Sequence, residues 1–250
     1  MDTALTICLL NNLPLHSTFT DKKIEVTSCS VLELFSGEHS PLQNTSIQGQ
    51  LAIPEYQRPY VWSKKQLQKL INDVKEYHKN KADDKPMLYL GSIILHQQNG
   101  KLNIIDGQQR LTTLLLWYSL QNQDFDLPIE FQSPISIQQI KYNLQFLSEA
   151  QQLKNFPELD LNQINITLVV TTNEDDAYTF FETQNTGGVR LSGADIIKSH
   201  HLRAITSTAL VNEYAFNWEK LTHLEYIIDL VTKTRYWNVL NFKNYPSFRE

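Results

Sequence analysis

The sequence predicts an α+β fold, and three observations carry that reading. Apolar runs rich in β-branched residues fall at Met87–His96, Leu102–Ile105 and Ile164–Thr171, the last being the most strand-like stretch of the chain. Asn99-Gly100, between the first two, is a strong hairpin signal. The helical stretch between the second and third must bring the chain back to the core, so all three strands are expected in one sheet.

Composition bounds the rest. With 250 residues the chain is long enough for one large domain or two small ones, and 41% hydrophobic and 20% charged residues describe a globular protein. A net charge of −5 lowers the prospect of non-specific DNA binding, although a local basic groove is still compatible with it. Two cysteines, Cys8 and Cys29, are too few for a disulfide framework and fit a reducing cytoplasm. No apolar run approaches the length of a membrane span, and no His/Cys/Asp spacing resembles a zinc site.

In chain order, Leu5–Leu10 lacks a basic flank and reads as a buried strand or docking segment. Thr27–Phe35 reads as a short helix capped by Ser28 or Ser30, followed by a loop over Ser36–Gln50. Pro54 and Pro59 keep Leu51–Ser63 extended, so Tyr56, Gln57, Arg58, Tyr60 and Trp62 sit on a stiff loop. Such a loop offers stacking faces and polar donors, while Tyr60 and Trp62 also suit core anchors. Ser63 and Gln66 form a capping-box pattern for a helix carrying Leu67, Leu70, Ile71 and Val74 and ending near Lys79. Gly91 marks a bulge or close approach in the first strand, and His96 at its end reads as a surface residue.

Leu102–Trp117 is the most informative stretch. A β-branched run turns at Asp106-Gly107-Gln108-Gln109-Arg110 into a helix with Leu111, Leu114, Leu115 and Trp117 on its faces. Such a turn presents free N–H groups and the positive end of the helix dipole, which suits a phosphate. Arg110 adds a forked cation, Thr112 and Thr113 add hydroxyls, and the Asp106 carboxylate suits Mg²⁺ beside the phosphate. In that reading Arg110→Ala is expected to remove NTPase activity while leaving the melting temperature nearly unchanged. The other reading makes Asp106 an N-cap, Gly107 a tight turn and Arg110 a surface ion pair.

Beyond it, Gln121–Asn162 reads as a helical excursion with Ile137, Ile140, Leu144 and Leu147 on one helix. After the third strand, Asp175 and Asp176 open a helix running toward Gln184. Asn185, Gly187 and Gly188 make a C-cap signature, and Ser192 with Asp195 caps the next helix. Leu210–Trp218 and Leu221–Trp237 carry further helical patterns, and the ending at Ser247-Phe-Arg-Glu suggests a truncated chain.

Three spaced blocks together resemble the DGQQR family of ParB/sulfiredoxin-like domains, found at the N-terminus of GmrSD-type modification-dependent restriction enzymes and SspE-type phage-defence proteins. The matching residues are Ile53–Trp62, Tyr89–Ser92, Asp106–Leu114, and Phe181 and Glu182 through Asn185, Gly188, Leu191, Asp195 and Lys198. The resemblance implies a ParB-like mixed sheet with flanking helices over residues 1–203, a helical insertion at about 121–162, and a helical extension over 204–250. It also implies an NTP-binding and hydrolysing domain coupled to cleavage of modified DNA by a C-terminal HNH nuclease module, and no His-Asn-His motif occurs in these residues. On that basis Asp106, Gln109 and Arg110 are expected to be catalytic, with Mg²⁺ on Asp106 and on either Glu182 or Asp195. The nucleotide would be held by Gln57, Arg58, Gly107, Gln108, Thr112, Thr113, Asn185 and Lys198. A non-catalytic module binding DNA or a partner, its DGQQR turn purely structural, is the alternative.

Overall fold

The computed structural model describes residues 24–36, 42, 45–79, 87–122, 125, 128–153, 156–184, 192–205 and 207–239. Its strands are β1 (Ile24–Ser30), β2 (Gln50–Ala52), β3 (Leu88–Gln98), β4 (Lys101–Asp106) and β5 (Ile164–Thr171). Its helices are α1 (Val31–Ser36), α2 (Lys64–Lys79), α3 (Gln108–Gln121), α4 (Pro134–Gln151), α5 (Glu174–Gln184), α6 (Gly193–Arg203), α7 (Thr208–Glu219) and α8 (Leu224–Val239).

Asn99 and Gly100 both take positive φ, 53° and 74°, and close the β3–β4 hairpin as that dipeptide favours. The sheet order is β1-β5-β3-β4-β2, so the three strands expected together are neighbours. β5 runs parallel to β3 and antiparallel to β1, while β2 runs parallel to β4. Central parallel strands are covered on both faces, which is why β3 and β5 read as continuous apolar runs. Alternation along β3 sends Ile93 and Leu95 to one core and Ile94 to another. Ile104 and Ile105 of β4 divide in the same way.

The larger core joins this sheet face to α2, α3 and α4. The stripe Leu67, Leu70, Ile71, Val74 and Tyr77 of α2 is buried in the expected phase. From Leu111 to Trp117 every residue of α3 is buried, which identifies α3 as a central helix rather than a surface one. Burying each Leu or Ile here contributes about 1.5–3 kcal/mol. On the opposite face α5 lays Ala177 and Phe181 over Ile94 and Ile105.

Two local readings need correction. Thr27–Ser30 is strand, not helix, because Ile24–Ser30 pairs along β5 with Val26 opposite Val169; the helix begins only at Val31. Ser30 caps it, accepting from Glu33 N–H at 3.1 Å while the Glu33 carboxylate accepts from Ser30 N–H at 2.7 Å. His96 is not at the surface: it is 4% exposed, since β5 and α5 flank the end of β3. Leu5–Leu10 and the turn 185–191 lie outside the described residues. Among those described, no helix is long and apolar enough to cross a membrane.

Candidate functional site

Everything at the head of α3 follows from Gly107. Its φ of 96° is left-handed, and a Cβ there would lie 2.2 Å from Ile93 Cδ1, so only glycine fits. The chain therefore passes from β4 into α3 with no side chain capping the first N–H groups of the helix.

Asp106 is thus not the N-cap; Gly107 is. Instead the Asp106 carboxylate accepts from Arg110 at 3.1 Å, one helical turn on. Arg110 also donates to the carbonyls of Leu90 (3.1 Å) and Ser92 (2.8 Å) across Gly91, where a Cβ would stand 2.5 Å from the guanidinium. The bulge expected at Gly91 is present, as a register shift between Tyr89 and Gly91. Arg110 is therefore an anchor between β3 and the motif, and its loss leaves two strand carbonyls without their donor.

Gln109 grips the proline loop. Its Oε1 accepts from Val61 and Trp62 N–H at 2.9 and 3.1 Å, and its Nε2 donates to Pro59 O at 3.0 Å. Gln57 grips β4 in return, donating from Nε2 to Ile104 O at 3.0 Å and also to Ile105 O. Tyr60 is wholly buried between them. Thr113 spends its proton on Gln109 O at 2.9 Å, so Tyr60 donates to Thr113 Oγ1 and accepts from Asn143 Nδ2 at 2.9 Å. Tyr56 turns inward too, edge-on to Phe181 at 5.6 Å, and burial raises its pKa. Tyr60 is thus the core anchor the sequence also suited, and Tyr56 packs against the second core rather than offering a stacking face.

Beside the loop lies a cleft of about 310 Å³, walled by residues 50–55 and 57–59, residues 130–134 with Ser136, and α7. Gln57, Arg58 and Gln108 line it; Asp106, Gly107, Gln109, Arg110, Thr112, Thr113 and Lys198 do not. Thr112 and Thr113 are turned into the core at 0% and 1% exposure. Burial pulls the Arg58 guanidinium below its ordinary range, while Asp195 and Asp106 pull it back up, so it lies in the field of both carboxylates. Lys198, 2% exposed, pairs with Glu219 at 3.2 Å and reaches Gln57 O at 3.4 Å. Ser133 donates to the other Glu219 oxygen. Asp195 closes the expected capping box with Ser192. Asn185 and the Glu182 side chain lie outside the described residues.

A family model described as GmrSD restriction endonuclease, N-terminal domain, matches residues 33–202, more than half of the chain. The chain belongs to that family. It is thereby part of a restriction and phage-defence group of enzymes. No curated protein matches it. The GmrSD N-terminal match takes in the motif turn, the proline loop and α6, whereas the wall of the cleft contributed by α7 lies outside it. Sequence reasoning missed Ser136, Asn143, Asn212 and Glu219; the bonds that tie Ser136, Asn143 and Glu219 to other elements span 21 to 86 residues. Ser136 and Asn143, seven apart on one face of α4, were the available signal.

Proposed function

We propose that this GmrSD-type domain binds a nucleoside triphosphate with Mg²⁺ at the head of α3 and hydrolyses it, and that turnover regulates DNA restriction by the complete enzyme. The observation that carries this reading is the cleft meeting the uncapped start of α3 at Gln108, with Arg58 on its wall. Uncapped N–H groups and the helix dipole favour an anion, and the planar guanidinium of Arg58 adds a permanent cation.

Within the motif Asp106 is the carboxylate that would hold Mg²⁺, and among the described residues no group of three metal-ligating side chains exists. Asp106 pairs with Arg110 and does not line the cleft, so an ion arriving with the nucleotide would be held mainly by phosphate oxygens, the usual state of nucleotide-bound Mg²⁺. When bound, the ion would offset charge on the phosphoryl oxygens. Arg110 orients Asp106 through their pairing, and Gln109 fixes the loop that presents Arg58. In this reading both act by positioning, with Gln57 tying the loop to β4.

The second reading, a DNA- or partner-binding module with a structural DGQQR turn, is favoured by one fact: Gln57, Gln109 and Arg110 all spend side-chain hydrogen bonds on backbone groups. Thermal unfolding with each of the four NTPs and Mg²⁺ separates the two, because a ligand that binds the native state raises the melting temperature. Phosphate release then reports turnover. Arg58→Gln is expected to weaken binding about tenfold, or 1.4 kcal/mol. No shift with any NTP in the parent would defeat the proposal and leave the second reading standing.

A further inference from the structure

We infer that Gln108 and Asn212 form a nucleobase-reading pair, an assignment that rests on the nucleotide reading above and names which end of the ligand the α7 wall receives. Gln108 is 4% exposed, and its Oε1 has no hydrogen-bond partner among the described residues. Asn212 Oδ1, on α7, is buried and likewise lacks a partner there. Both residues line the same cleft from different walls. Buried amide oxygens without donors are rare in folded proteins, so two in one cleft point to donors arriving from outside.

The cleft restricts what can bring them. Phe131 and Phe216 line it together with the two amides, so the complementary ligand is flat and aromatic and carries N–H groups on its edge. A nucleobase has that chemistry, and side-chain amides are the groups that pair with base edges elsewhere. A phosphate does not, since it offers acceptors to acceptors. The phosphate end therefore belongs to Arg58 and the backbone N–H groups at the start of α3, and the base to the two side-chain amides and the rings.

The test compares, with Mg²⁺ present, the tightest-binding of the four NTPs with its analogue N-methylated on the base edge, in the parent, in Asn212→Leu and in Gln108→Leu. Melting curves without ligand establish that each variant is folded. The parent is expected to bind the methylated analogue at least tenfold more weakly, and each Leu variant to lose most of that discrimination. Equal affinity for the two in the parent, or discrimination retained in both variants, overturns the base-reading pair while leaving nucleotide binding intact. Absence of binding by any NTP to the parent overturns the nucleotide reading and this inference with it.

Discussion

Gln108 and Gln109 are adjacent, chemically identical and almost equally buried, at 4% and 6% exposure, yet their side chains have opposite fates. Gln109 makes hydrogen bonds to Pro59, Val61 and Trp62, whereas the Gln108 oxygen makes none among the described residues. One helical step of about 100° separates them, enough to aim one into a loop and the other into a cleft. The contrast teaches that the DGQQR turn serves two purposes. Asp106, Gln109 and Arg110 secure the local backbone, and Gln108 lines the cleft.

The largest effect should come from removing the turn both depend on. Gly107→Ala forces a side chain into left-handed backbone and onto Ile93, and should cost about 3 kcal/mol, on the order of 10 °C in melting temperature. Retention of the parent melting curve would show that the turn can adjust. Next, Gln109→Ala should destabilise by about 2 kcal/mol through the loop amides it strands, and Gln108→Ala, whose oxygen makes no hydrogen bond among the described residues, should cost less. Equal losses in urea denaturation would erase the distinction between the two glutamines.

The smallest effect concerns His96, whose Nε2 is buried without a partner among the described residues. Burial lowers its pKa from 6.5, partly offset by the charge of Glu174 and a backbone bond at Thr172. With the folded value depressed, the stabilising contribution is complete above about pH 6.5 and is lost as the pH falls through the folded value, because the unfolded chain takes up the proton first. Melting temperature should decline between pH 7.5 and 5.5, and His96→Gln should decline less. Parallel pH profiles for the two proteins would assign the decline to other groups.

What the sequence made legible was local. Asn99-Gly100 requires a turn of positive φ, the Ser192–Asp195 capping box needs only three residues of separation, and so does its half-made counterpart at Ser63, where Gln66 Oε1 accepts from both Ser63 N–H and Oγ. Tyr60 as a core anchor followed from a proline-held aromatic. β1 was illegible because its partner β5 lies about 140 residues away, and Val26, 64% exposed on that edge strand, gives no clean alternation. His96 was misread because β5 and α5, which flank it, lie about 75 residues further along the chain. The rotational phase of α3 depends on packing against α4 and the sheet, so the sequence could place both glutamines in the motif but not show that Gln109 would be spent on the proline loop. Asn212 carries no motif at all.

The Gln109 clamp also sets a clock. Val61 and Trp62 lie in a segment without helix or strand, where amide protons ordinarily exchange quickly, yet both are held by one side-chain oxygen. Their deuterium uptake can proceed only when that single grip releases, so the two amides should exchange in step with each other and out of step with exposed loop neighbours. The rate at which they do so measures how often the first turn of α3 lets go of the loop, with no ligand required.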